Sequence, residues 1–201
     1  LGTLYTRKEI EEIAQICKKW DLYLYLDGAR LGYGLGVVES DLTLPLLAEL
    51  CDVFYIGGTK VGALFGEAVV ITNPQLMKDF RYIMKQNGGM LAKGRLLGLQ
   101  FQCLFEDDLY LQMGRHGIQM ADLLREGLEE WGLTFLMDSP TNQIFPILED
   151  GMIEELRKDF DFSYQQRMDG SHSAVRFCTC WATKEEDILA LLNRIEELTG
   201  N

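Results

Sequence analysis

Two stretches decide how this chain is read: Leu22-Tyr-Leu-Tyr-Leu26-Asp27-Gly-Ala-Arg30 and Val53-Phe-Tyr-Ile56-Gly57-Gly-Thr-Lys60. Each is a short run of apolar and aromatic residues that stops at glycine beside one ionisable side chain, the pattern of a buried strand running into a functional loop. The first is expected to be a strand over 22–26, followed by a glycine-rich loop through Gly36. Upstream, Thr6 followed by Glu9 forms a capping box, and Ile10, Ile13, Ile16 and Cys17 recur at helical spacing, so a helix should begin there and end near Trp20-Asp21. A short helix around Leu44–Leu50 separates the two stretches, and Glu67–Thr72 reads as a third strand. Helix, strand, helix, strand at this spacing predicts an α/β sheet with largely parallel strands and flanking helices.

Beyond Pro74 the rhythm is helical to about Trp131, broken at Gly88-Gly89 and again around Gly114–Gly117. Short strands are then expected at Thr134–Leu136, Asn142–Leu148, Phe162–Met168 and Ala174–Cys180, with helices near Met152–Phe160 and Glu185–Leu198. This predicts two domains: residues 1–115 as part of a large α/β domain and residues 116–201 as a small α+β domain.

The 201 residues carry 19 Lys+Arg against 31 Asp+Glu, a net charge of −12, which argues against partners with phosphate backbones or anionic lipid surfaces. No apolar run approaches the roughly 20 residues of a membrane helix. The opening residues are too charged for the apolar core of a signal peptide. Cys17, Cys51, Cys103, Cys178 and Cys180 form no disulfide framework, as expected of reduced thiols in the cytoplasm. The chain begins with Leu1 rather than Met, and is expected to be part of a longer protein.

In an open α/β sheet, ligands bind beyond the carboxyl ends of the strands. Asp27 ends the first strand and Lys60 lies just past the second, so parallel neighbours would bring an acid and a lysine to one edge. A lysine in a glycine-rich turn is a candidate imine former, and a carboxylate is what a pyridinium nitrogen needs as its partner. Taken singly, each residue reads more plainly as a turn aspartate and a surface lysine; the pair in these glycine contexts is the informative signal.

Together with Gly88-Gly-Met-Leu-Ala-Lys93-Gly-Arg95 and the opening Gly2-Thr-Leu-Tyr-Thr6, these motifs resemble the threonine aldolase / β-eliminating lyase family. That family comprises pyridoxal 5′-phosphate (PLP) enzymes of fold type I, the aspartate aminotransferase-like fold. The resemblance extends over essentially the whole chain and implies the C-terminal portion of such an enzyme, without the N-terminal segment that carries a phosphate-binding loop and a ring-stacking aromatic residue. It implies that Lys60 bonds the cofactor's aldehyde and that Asp27 pairs with the pyridinium nitrogen. Ala29 would pack on the ring face, Arg30 would reach the phenolic oxygen or the substrate carboxylate, and Thr59 would offer its hydroxyl to the phosphate. Arg176 would grip the substrate α-carboxylate as a bidentate fork, with Lys93 as a further phosphate or carboxylate contact.

Two departures bear on the substrate. Arg176 leads to Thr179-Cys180-Trp181 where familiar threonine aldolases have Thr-His close behind, and Leu91 stands where they place an arginine after Gly-Gly-Met. The implied activity is cleavage of the Cα–Cβ bond of a β-hydroxy-α-amino acid, giving glycine and an aldehyde. The alternatives are β-elimination or racemisation of another amino acid, and a catalytically incompetent fragment that only binds or assembles. A homo-oligomer, dimer or tetramer, is expected.

Other motifs point elsewhere only weakly. Gly28, Gly32, Gly34 and Gly36 lack the G-x-G-x-x-G spacing of a dinucleotide loop. His116 and His172 stand apart with no Cys or acid at ligand spacing, so no structural metal is expected. Cys178 and Cys180 would share one face of a strand, Glu106-Asp107-Asp108 reads as a solvated helix end, and Met84, Met90 and Met113 as apolar filler.

Overall fold

The computed structural model describes residues 2–200. They separate into two compact units, one of residues 5–113 and one that gathers residues 2–4 with 114–200.

In the first unit, α1 (Arg7–Lys19) opens on the expected capping box: the Thr6 side chain accepts from the Glu9 amide at 3.3 Å and the Glu9 carboxylate accepts from the Thr6 amide at 2.7 Å. Ile10 and Ala14 are its buried face. β1 (Tyr25–Leu26) is shorter than the run 22–26, because parallel pairing to β2 (Val53–Gly57) begins only at Tyr25↔Val53. Nor is the run buried throughout: Leu22, Tyr23 and Tyr25 are each more than half exposed. The segment after Asp27 is not loop to Gly36 but turns at once into α2 (Leu31–Gly36), begun by the Leu31 amide on the Gly28 carbonyl at 2.9 Å. α3 (Leu44–Leu50) stands as expected, its N-terminus capped by the Thr43 hydroxyl, which accepts from the Leu46 amide at 3.3 Å.

β3 (Glu67–Ile71) completes a sheet of order β1-β2-β3 and runs antiparallel to β2, against the parallel expectation. Residues 58–66 are too short a connection for the crossover that a parallel neighbour requires. One face of this sheet is covered: Phe54 and Ile56 are buried beneath α2 and α3. The other carries Tyr25, Asp27, Tyr55, Glu67 and Val69, none of them buried. The helices α4 (Pro74–Met77), α5 (Phe80–Gln86) and α6 (Arg95–Phe105) follow, with Gly88 at φ +76° ending α5 where a break was expected. The break expected around Gly114–Gly117 is absent: α7 (Leu109–Glu130) runs straight through it. Glu106–Asp108 forms a 3-10 turn just before α7.

In the second unit, the run at Asn142–Leu148 divides into β4 (Gln143–Ile144) and β5 (Ile147–Glu149), because Pro146 has no amide to continue a ladder. Thr134–Leu136 contributes only a bridge, Phe135 to Pro146. α8 (Asp150–Leu156), β6 (Ser163–Arg167) and β7 (His172–Cys178) precede the long α9 (Glu185–Thr199). β7 lies between β4 and β5 and also pairs β6, every pairing antiparallel. Because β7 stops at Cys178, Cys180 lies in the following turn rather than on the strand face expected of it. Leu124, Leu128, Ile144, Leu148, Leu156, Val175 and Ile195 form a core closed to solvent. Among the described residues no helix is long and apolar enough to cross a membrane, and no group of three His, Cys, Asp or Glu could hold a metal ion.

Candidate active site

Asp27 and Lys60 come together because the carboxyl ends of β1 and β2 are nearly fused. The Gly57 amide donates to the Gly28 carbonyl at 3.0 Å. A Cβ on Gly28 would lie 1.7 Å from the Tyr55 carbonyl oxygen, and one on Gly57 would lie 2.4 Å from that of Ala29. Only glycine permits this approach. It sets Asp27, Ala29 and Arg30 on one side of the edge, and Thr59 and Lys60 on the other.

The pairing that matches Tyr25 with Val53 and Leu26 with Phe54 brings Asp27 beside Tyr55 one step later. The Tyr55 hydroxyl donates a short hydrogen bond to Asp27 Oδ1, and the Ala29 amide donates to the same oxygen at 3.1 Å. Oδ2 has no partner among the described residues. These bonds, chiefly that from Tyr55, hold the Asp27 carboxyl below its ordinary range, with smaller help from the positive charges of Lys60 and Arg30. The same bond pushes the Tyr55 phenol up to about 12. Asp27 is thus an anion with one oxygen fixed and one free.

Lys60 sits in a turn whose backbone is secured from three directions. The buried Tyr33 and Tyr110 phenols donate to the carbonyls of Lys60, at 2.5 Å, and Gly57, at 2.9 Å. The Glu67 carboxylate takes the Gly58 amide and, at 2.9 Å, the Thr59 hydroxyl. The exposed Lys60 amine itself makes no hydrogen bond or ion pair among the described residues. Burial raises the Tyr110 phenol, keeping it protonated as a donor.

The remaining expected residues are placed differently. Lys93 is exposed in the turn before α6, with no side-chain partner among the described residues. Arg176, on β7 of the second unit, donates from Nη2 to the Ser163 hydroxyl at 3.3 Å, and its buried Nε has no acceptor among the described residues. His116 contacts the Thr183 carbonyl at 2.7 Å, and His172 lies 3.0 Å from both Asp169 oxygens, so each ring is engaged locally. Tyr55, Glu67, Tyr33 and Tyr110 escaped the sequence reading. Tyr55 alone left a signal, an alternation with Gly57 that places it on the face of Asp27 once the register is known.

A family profile described as beta-eliminating lyase matches residues 1–150. The chain belongs to that family.

Among its relatives, a low specificity L-threonine aldolase of Pseudomonas aeruginosa is 31% identical over 204 residues, covering 100% of this chain and 57% of the relative. The chain therefore spans a little over half the length of the curated relatives it matches. The solved structure of a Leishmania major threonine aldolase is 44% identical, with a TM-score of 0.96 over 98% of this chain and 58% of that one. A Thermus thermophilus aspartate aminotransferase mutant, 18% identical, superimposes with a TM-score of 0.69 over 98% of this chain and 53% of its own length. That likeness is one of fold: the chain has the α/β architecture of the aspartate aminotransferase type, fold type I.

Proposed function

We propose that this chain is the lysine-bearing part of a PLP-dependent lyase that cleaves the Cα–Cβ bond of a β-hydroxy-α-amino acid, giving glycine and an aldehyde as a threonine aldolase does. The observation that carries the reading is the meeting of Asp27 and Lys60 at one sheet edge, in a chain 44% identical to a threonine aldolase. The residues present suit the cofactor. Asp27 stays ionised and keeps Oδ2 free to accept a pyridinium N–H, and Lys60 offers an amine with no protein partner to the aldehyde. When bound, PLP supplies an electron sink for the pair released from a bond at Cα.

The chain's own residues bind and orient. Ala29 offers a methyl group beside Asp27 for the ring face, and Arg30 a guanidinium for the phenolic oxygen or the substrate. Arg176, with an unmet Nε donor, suits a carboxylate as a two-pronged partner. Lys93 is a further cation for a phosphate or carboxylate. Thr59 borders the same site, although its hydroxyl is engaged by Glu67. We read the whole enzyme as a cytoplasmic homo-oligomer, dimer or tetramer.

The test is spectroscopic and chemical. PLP added to the chain should give a visible band that borohydride removes and that Lys60→Ala abolishes; a band that persists in Lys60→Ala would overturn the assignment. With threonine, the protein should release glycine and acetaldehyde. The family's name favours β-elimination as a second reading; pyruvate from β-substituted alanines with no glycine from threonine would establish it instead. A chain that binds PLP and turns over neither substrate would be a binding or assembly fragment.

A further inference from the structure

We propose that Glu67 is a positioning residue for Lys60, clamping the turn that carries the lysine through the Gly58 amide and the Thr59 hydroxyl; this rests on the assignment of Lys60 above. Glu67 is the first residue of β3 and lies opposite Gly57 in the antiparallel register. Its carboxylate therefore leaves the sheet beside the turn that follows β2. One oxygen accepts the Gly58 amide and the other accepts the Thr59 hydroxyl at 2.9 Å, so a single charged group spans the two residues before the lysine.

The rest of the turn is already held. The Val61 and Ala63 amides both donate to the Gly58 carbonyl, at 2.9 and 3.0 Å, and Tyr33 and Tyr110 secure the carbonyls of Lys60 and Gly57. Glu67 supplies acceptors for the donors that the strand leaves unmet, and the exposed lysine side chain extends from an anchored turn. An amine that must meet an aldehyde in one orientation reacts more slowly when its anchor slackens.

The clamp also decides what Thr59 can offer. A hydroxyl has one proton. Here that proton points to Glu67, with the Gly66 carbonyl a longer second acceptor at 3.4 Å. While the clamp is closed, Thr59 presents lone pairs rather than a donor to a phosphate oxygen. Its part in the site is to tie Lys60 to Glu67.

The experiment pairs hydrogen exchange at the Gly58 amide with borohydride trapping of PLP on Lys60, read by peptide mass, in the whole chain and two variants. In Glu67→Ala, Gly58 should exchange about ten-fold faster and Lys60 should label about ten-fold more slowly. Glu67→Gln, which keeps one acceptor, should fall between, and it serves if the alanine variant does not fold. Unchanged exchange in both variants overturns the clamp. Faster exchange with unchanged labelling reduces Glu67 to a cap and overturns the positioning role. A parent chain that takes no label at Lys60 removes the lysine assignment and this proposal with it, whereas normal parental labelling with unaltered variants removes this proposal alone.

Discussion

The strands at the candidate site and the central strand of the second unit are built on opposite plans. In the second unit, neighbouring residues Ala174 and Val175 of β7 point to opposite faces, and neither is accessible to solvent. In the first, β1 and β2 are packed on one face only, and Tyr25 on the other is 59% exposed. The closed strand carries its stability in dispersion and hydrophobic burial, and Arg176 is the one side chain it is proposed to lend to the site. The open face is held by directed polar bonds, Tyr55 to Asp27 and Glu67 to Thr59, while the buried Tyr33 and Tyr110 secure the lysine turn. Asp27 and Lys60 therefore stand where hydrogen bonds do the positioning.

Substitutions can break that contrast. Gly28→Ala should have the largest effect, because a methyl 1.7 Å from the Tyr55 oxygen forces the strand ends apart. We expect a loss of at least ~3 kcal/mol by denaturant unfolding, together with loss of PLP labelling at Lys60. Leu128→Ala, in the closed core, should cost about 3 kcal/mol on the same measurement yet leave labelling intact; failure of labelling there would show that the two plans are not separate. Thr6→Ala removes the capping box of α1 and should cost about 1 kcal/mol in thermal unfolding.

Tyr55→Phe should be the mildest in stability and the most informative about charge. Asp27's carboxyl lies below its ordinary range in the folded chain, so its contribution is complete above the unfolded pKa of about 3.9 and fades as acid protonates it through the lowered value. Removing the Tyr55 hydroxyl should move the Asp27 titration, followed by carboxyl carbon NMR, upward toward that ordinary value. An unmoved titration would mean that the Ala29 amide and the nearby cations, not the phenol, hold the charge.

The parts legible in the sequence were those made by near neighbours. The capping box at Thr6–Glu9, the helix over Leu44–Leu50, the strand opening at Val53 and the glycine ends of both strand runs depend on contacts within a few residues, and each stands as read. Elements whose limits depend on distant partners were misjudged. β1 is trimmed by where β2 begins to pair, α2 forms where a loop was expected, and α7 continues through glycines that an isolated helix would tolerate poorly. Of the site, Asp27 and Lys60 stood out through their glycine settings, while Tyr55 and Glu67 did not, since a tyrosine and a glutamate in strands have no local mark of a role.

The chain's residues, taken alone, determined the kinds of element and the two ionisable groups at strand ends, because capping, turn chemistry and side-chain alternation act over short spans of backbone. Only the tertiary structure decided which groups meet. Tyr55 reaches Asp27 across 28 positions of sequence through a parallel register. Glu67 faces the lysine turn because the short connection after β2 makes β3 antiparallel. Register and strand direction are set by the closing of loops and the covering of one sheet face, and these belong to the folded whole.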